Sequence, residues 1–573
     1  METSATYLIG ATLTVLLTFI FGRRWLRKWS SQESPLPPGP RALPLIGNLL
    51  DLPKPGELEA YHWFKHKKLY GPISSVTVFG QTLIIINDAR IASELLDKRS
   101  LTNSDRPKQV FSGDMVGWGY SLAFSQNGPR FRTYRKNFSR IIGSKSAAGQ
   151  YNNLQEAEVA HFLLHVRDNP DQLVDHIKRS IAFCLCKSTL LTVQNRETGS
   201  IILEIAYGYR SEPFGSDPLI DMVGNVMEQF AAAAAPGAWA VDVFPFLRHV
   251  PDWVPGTSFK RVARQMGSDL QNVIDKPYSF VKEQMSRGTN NPSFLSNLLD
   301  AGDETDEEKL RNKWSATALY TAGADTTVSS IACFYLAMTT NPEVQRKAQE
   351  EIDRVVGTDR LPSPSDRDNL PYVDAIVKEA LRWHPVAPMA LPHASSQDDE
   401  IDGYAIPKGA MLLPNVWHFT HDPDVYKDPM AFRPERFLAT ETHVPETDPH
   451  KFVFGFGRRI CPGRVLADQA LFLNISQSLA VFNIGQDVSR GNTPNSTVKF
   501  TPGVISHPEP FQASIKVRSQ AHEELLRRIE EKFPWQKGDG EALEKIGKLI
   551  KKFDTSQRPW LEDVKIFENM NRW

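Results

Sequence analysis

Phe454-Gly455-Phe456-Gly457-Arg458-Arg459-Ile460-Cys461-Pro462-Gly463-Arg464 is a glycine-rich run that ends in a cysteine, a proline and the start of a helical pattern. Its glycines let the backbone turn tightly and approach a flat ligand. Cys461 precedes Pro462, and a helical pattern of Val465, Leu466, Ala467, Ala470 and Leu471 follows. A sulfur at a helix N-terminus meets free N–H groups and the positive end of the dipole, and both favour thiolate over thiol. Arg459 adds positive charge nearby. A single activated thiolate on a glycine-rich loop suits a nucleophile or a metal ligand. A buried free cysteine packing as a small hydrophobe is the plainer alternative.

The rest of the composition narrows the choice. The chain has 573 residues, 41% hydrophobic and 23% charged, enough apolar content for a large core. Lys+Arg (66) and Asp+Glu (67) nearly cancel, which argues against a protein held to nucleic acid by phosphate contacts. Four cysteines, Cys184, Cys186, Cys333 and Cys461, are too few for a disulfide scaffold and wrongly spaced for an all-cysteine zinc site. There is no GxxxxGK[ST], no GxGxxG and no HExxH.

Outward from the loop, the N-terminus carries the clearest signal. Residues 5–22 (ATYLIGATLTVLLTFIFG) hold no charge. At about 1.5 Å per residue they span about 27 Å, close to a hydrocarbon core of about 30 Å. Arg23, Arg24, Arg27 and Lys28 follow, interleaved with Trp25 and Trp29. Positive charge after the span sets that side in the cytosol, whereas a cleaved signal would carry it before. Residues 1–30 therefore read as a membrane anchor with a basic stop-transfer, and proline-rich 31–45 as a stiff spacer. Beyond it the pattern is mainly helical, notably at 315–340, 371–383 and 464–480. A hairpin is expected where 76–79 and 82–86 flank Gly80-Gln81, with short strands near 401–406, 410–415 and 511–517. Residues 180–198 interrupt an otherwise continuous pattern and read as an insertion or retained intron. The Lys- and Glu-rich 519–573 reads as a charged extension, with solvated helices at 521–532 and 541–552.

Three further motifs accompany the cysteine loop. Glu379 and Arg382 are i,i+3 neighbours able to pair, and Arg436 in Pro434-Glu435-Arg436-Phe437 can complete a charge-assisted network. Residues Ala322-Gly323-Ala324-Asp325-Thr326-Thr327 lie within a long apolar helix. Gly323 there costs about 1 kcal/mol relative to alanine, as a close ligand approach would explain. Asp325 must be paired or hydrated, and either threonine can bond back to its own helix. Together these stretches match FxxGxRxCxG, ExxR, PERF and [AG]Gx[DE]T[ST]. Over about residues 33–518, apart from 180–198, the chain resembles the cytochrome P-450 family, in particular fungal microsomal members of secondary metabolism.

That resemblance implies a mainly α fold with small β-sheets behind an N-terminal transmembrane helix, with 46–518 forming a haem-thiolate monooxygenase domain. It implies haem b with Cys461 as axial iron ligand. Phe454, Gly455, Gly457 and Gly463 shape the cofactor loop, and Arg459, Arg135 and His393 serve as propionate partners. Phe131 replaces the tryptophan of the family's WxxxR, removing one donor. Asp325 and Thr326 are the implied proton-delivering pair, while Glu379, Arg382 and Arg436 form a structural network. Electrons would come from NADPH through a reductase, with cytochrome b5 as a second donor. The basic cluster Arg130, Arg132, Arg135, Lys136 and Arg140 would dock that partner. The substrate would be a lipophilic small molecule, with Trp118 in the variable recognition loop at 111–124. The location would be the endoplasmic reticulum membrane, catalytic part cytosolic, with no nucleic acid. The competing readings are a haem-thiolate isomerase or dehydratase, and an inactive haem-binding paralogue.

Overall fold

The computed structural model describes residues 34–54, 56–173, 177, 200–235, 237–300, 302, 304–486 and 498–554. The expected anchor at 5–22 and the segment 180–198 lie outside them. Among the described residues no helix is long and apolar enough to cross a membrane.

The longer helices are α1 (Glu59–Tyr70), α2 (Pro129–Ile142), α3 (Asn152–Asp168), α4 (Ser200–Tyr207), α5 (Pro218–Ala233), α6 (Ser258–Arg287), α7 (Asp306–Thr340), α8 (Pro342–Val355), α9 (Pro371–Trp383), α10 (Arg464–Val481), α11 (Gln520–Lys532) and α12 (Gly540–Asp554). Strands β1 (Ile73–Val78), β2 (Gln81–Ile86), β3 (His393–Ala394) and β6 (Met411–Pro414) form one sheet in the order β1-β2-β6-β3. Strands β4 (Asp399–Ile401) and β5 (Tyr404–Ile406) form a hairpin, and β7 (Phe482–Gln486) pairs with β8 (Ala513–Val517). The expected mainly α architecture with small sheets is what the chain adopts.

The central helix α7 starts earlier than its apolar periodicity indicates. Thr305 and Glu308 form a capping box, and Asp306, Glu307 and Glu308 complement the dipole in the first turn. These polar turns carry no apolar stripe for a sequence reading to catch. The β1–β2 turn is Phe79-Gly80, one residue before the predicted Gly80-Gln81, because both adopt positive φ (47° and 87°) and Val78 pairs with Gln81. Such a turn matches strand twist.

Residues 35–40 are not a free-standing spacer. The Pro37 and Pro38 carbonyls accept bonds from Ser75, and Pro35 accepts one from the Ala405 N–H. A Cβ on Gly39 would lie 1.9 Å from the Ser75 carbonyl oxygen, so only glycine fits this approach. The C-terminal helices are also not solvated. Leu525, Leu526 and Ile529 of α11 join the core built by α3, α9 and α10, and Leu543 and Ile546 of α12 join that of α5 and α6. Between them Trp535 stacks on His161 of α3, at 4.2 Å between centroids.

Two large apolar cores meet on α7. Trp314 to Tyr320 belong to the first, and Val328 to Met338 to the second. Among the described residues, none between Tyr320 and Val328 joins either cluster. This polar seam falls on the sequence singled out for chemistry.

Candidate active site

Cys461 stands three residues before α10, held by its N–H bonding the Phe454 carbonyl at 2.7 Å. Gly455 and Gly457 carry φ of +79° and +48°. A Cβ on Gly457 would lie 2.2 Å from the Leu96 oxygen, so this glycine is required by both conformation and space. The N–H groups of Gly463 and Arg464 do point at the sulfur, as expected, but the cations acting on it are Arg135 and Arg464 rather than the expected Arg459. Burial nevertheless outweighs them and pushes the thiol pKa up. A coordinated metal acts in the opposite direction, because it deprotonates its thiol outright.

Above α7 the surface opens at Ala322, which is exposed, and at half-buried Thr326 one turn later. Thr326 donates to the Ala322 carbonyl at 3.0 Å, and Thr327 does the same to Gly323. A Cβ on Gly323 would point at Ile202 of α4, 3.5 Å away, so this glycine faces a neighbouring helix rather than the opening. Asp325 is buried, with His507 Nε2 at 3.2 Å from its Oδ1.

The charged network is built as the motifs imply. Glu379 accepts from Arg382 Nε (2.7 Å) and Nη2 (2.8 Å), and Arg436 Nε lies 3.1 Å from its Oε2. Arg436 also bonds Glu446 at 2.6 Å, a second carboxylate the motifs do not contain. Arg382 spends its remaining donors on the carbonyls of Thr420, Pro429 and Ala431. All three motif side chains are fully enclosed. Removing one partner of such a pair costs about 3–5 kcal/mol because a buried charge is left uncompensated.

Residues 37–515 match the Cytochrome P450 family. The chain belongs to the cytochrome P450 family. It is similar to Cytochrome P450 monooxygenase ppsD of Aspergillus oryzae, 46% identical over 94% of this chain and 99% of that one. It is 45% identical to Cytochrome P450 monooxygenase claR of Ampulloclitocybe clavipes, over 90% and 93%. O-methylsterigmatocystin oxidoreductase of Aspergillus flavus is 42% identical over 89% and 93%. This P450 is a haem-thiolate monooxygenase, and the named relatives favour that activity over the isomerase and inactive-paralogue readings.

The P450 family implies haem b, and the residues present fit it. Arg459, Arg106 and His393 form a buried basic cluster. Arg459 donates to the carbonyls of Ser104 and Ser125 (2.6 Å each), and its guanidinium lies 3.9 Å from the centre of the Phe131 ring. Burial lowers its pKa to about 10. Arg106 bonds only backbone carbonyls, of Ala123, Leu391 and Pro392, and burial and the Arg459 charge hold its pKa well below normal. The Ser104 hydroxyl is buried with no partner among the described residues. Clustered cations bonded to carbonyls beside an idle hydroxyl form a donor set for a dianionic ligand.

His393 donates from Nδ1 to the Asn103 carbonyl at 2.8 Å, and burial and Arg106 hold its pKa at about 3. The neutral ring thus presents only an acceptor at Nε2, and it can hold a propionate only by taking up a proton. Arg135 donates to the Ile460 carbonyl beside Cys461. Arg106 was missed in the sequence because it sits in a loop with no periodic or motif signal. Trp118 packs against Phe230 and Trp314 in the first core.

Proposed function

We propose that this P450 holds haem through Cys461 and oxidises a lipophilic small molecule of secondary metabolism with electrons from an NADPH-dependent reductase. Bound haem supplies the redox centre at which O2 is reduced and one oxygen atom passes to substrate. Cys461 would hold the iron through its sulfur, and Phe454, Gly455, Gly457 and Gly463 would shape the loop that carries it. Arg459, Arg106 and Arg135 would neutralise the propionates, with His393 joining them on taking up a proton. Thr326 turns its hydroxyl from the Ala322 carbonyl toward the opening, and Asp325 supplies protons behind it. Glu379, Arg382 and Arg436 brace the fold beneath the loop. The observation that carries the reading is the co-occurrence of the Cys461 loop with an opening in α7 bearing Thr326 and Asp325.

Arg132, Lys136 and Arg140 are exposed at successive turns of α2, with no acidic partner among the described residues. Exposed Arg458 and Arg464 flank the cysteine loop. This basic face suits an acidic electron donor such as the reductase or cytochrome b5. On the hairpin tip, exposed Phe79 meets exposed Phe244 at 5.5 Å, next to exposed Phe246, and bonds the segment carrying exposed Leu43, Leu45, Leu49 and Leu50. A contiguous exposed apolar patch marks an interaction site. With the uncharged 5–22 stretch, it supports a single-pass anchor seating the domain on the cytosolic face of the endoplasmic reticulum membrane. NADPH-dependent O2 uptake by reductase-containing membranes, with lipophilic candidates screened for product, tests the reading. Haem incorporation without NADPH-dependent uptake would contradict it.

A further inference from the structure

Asp325 lies in the segment of α7 that joins neither apolar core. Among the described residues it has no lysine or arginine within ion-pair distance, and its basic neighbour is His507, with Nε2 at 3.2 Å from Oδ1. Neither of these two buried atoms has a hydrogen-bond partner among the described residues. Buried polar atoms are paired in the great majority of native structures, so each exception calls for a reason. Two such atoms facing each other call for the same one.

The imidazole is placed by a tied-down loop. The Ser329 hydroxyl, one turn along α7 from Asp325, donates to the Ser506 carbonyl at 2.6 Å. The Ser506 N–H bonds the Val386 carbonyl, and the Ser506 hydroxyl bonds the Thr501 carbonyl at 2.7 Å. The His507 N–H bonds the Thr501 hydroxyl at 2.9 Å, and the Thr501 N–H bonds the His507 carbonyl at 2.8 Å. The helix that carries the acid therefore also fixes the loop that carries the base. His384 bonds the Ser506 hydroxyl from behind at 2.9 Å, and burial keeps its own ring neutral.

The choice of base matters. An arginine here would be a fixed charge with no proton to exchange. Histidine alone among side chains changes charge near neutrality in its unperturbed state, so it can give a proton and take one back. We propose that His507 is a positioning residue that orients Asp325 and recharges it with protons. In this step the His507 imidazolium passes its Nε2 proton to the Asp325 carboxylate at Oδ1, leaving a neutral imidazole and a neutral acid. The acid then releases a proton toward Thr326, and the neutral imidazole takes one from solvent, so one solvent proton moves inward per cycle. The proposal rests on the assignment of proton delivery to Asp325.

The test compares wild type with His507→Gln, His507→Ala and Asp325→Asn, each as the haem-loaded full chain with reductase, NADPH and O2. Reduction of O2 to water consumes two NADPH and reduction to peroxide one, so the NADPH-to-O2 ratio reads proton delivery without a substrate. A positioned proton-transfer group contributes about 10²–10⁴-fold. Both histidine variants are expected to lower the water-forming rate at least about 10-fold, toward Asp325→Asn, and to change the solvent deuterium isotope effect. The reduced carbon monoxide spectrum should stay intact. If His507→Ala loses that spectrum, His507→Gln carries the test. A fall in Asp325→Asn with His507→Gln unchanged overturns the proposal and leaves the role of Asp325 standing. An unchanged Asp325→Asn overturns both.

Discussion

Leu526→Ala is a mutation in the charged C-terminal segment that should behave as a core mutation. Leu526 is 0% exposed and belongs to the cluster formed by Phe162 and Leu163 of α3, Val373 of α9 and Leu473 of α10. Truncating a buried leucine to alanine costs about 2–5 kcal/mol, the spread reflecting how far the site can collapse. Here the surroundings are helices fixed by their own packing, so the cavity is retained and the upper half of that range applies. Even the lower bound of about 2 kcal/mol multiplies the unfolding constant roughly 30-fold. Glu530→Ala, one residue beyond Ile529, is the matched control. Its bond to Arg167 at 3.1 Å is partly exposed and worth about 0–1 kcal/mol. Urea titration of the holoprotein, followed by loss of the thiolate–carbon monoxide band, measures both. A Leu526→Ala midpoint indistinguishable from that of Glu530→Ala would refute the claim that α11 is part of the core.

Gly457→Ala should abolish haem incorporation, because its Cβ would sit 2.2 Å from the Leu96 oxygen and 2.6 Å from the Ser100 Cβ at φ +48°; a normal haem-to-protein ratio would contradict this. His450 is half-buried, which opposes its charge, yet its bonds to Asp448 (2.6 Å) and Asp468 (3.0 Å) raise its pKa to about 9. A folded value above the unfolded one means stability fully present below about pH 6.5 and lost as pH rises through about 9. His450→Gln should flatten that decline in urea titrations between these limits, and an unchanged slope would count against the pair. Thr326→Ala should shift O2 consumption toward peroxide, whereas an unchanged NADPH-to-O2 ratio would mean that its bond to the Ala322 carbonyl is its whole role.

The parts of the fold that were legible are those in which local pattern and tertiary burial coincide. Pro371–Trp383 is a helix over the residues its periodicity marks, opened by Pro371 at its first turn. The Cys461 loop was legible because Gly455 and Gly457 occupy the positive-φ positions that such a turn demands. Electrostatic sign was not. The helix start acts on the sulfur as expected, with Arg135 and Arg464 in place of Arg459, but desolvation depends on what surrounds Cys461, which no local window contains. Arg106 and His507 were missed for the same reason: each acquires its meaning from a partner remote in the chain, Leu391 for Arg106 and Asp325 for His507. In the C-terminal segment the lysines and glutamates drew attention away from the apolar stripe of Leu525, Leu526 and Ile529, spaced for one buried helical face.

The most direct test of the account is the carbon monoxide difference spectrum of the reduced protein, wild type beside Cys461→Ser. Wild type should give the strongly red-shifted Soret band of a thiolate ligand, and Cys461→Ser should lose it. A wild-type band typical of histidine- or thiol-ligated haem, or a red-shifted band that survives in Cys461→Ser, would contradict the assignment of the iron to Cys461.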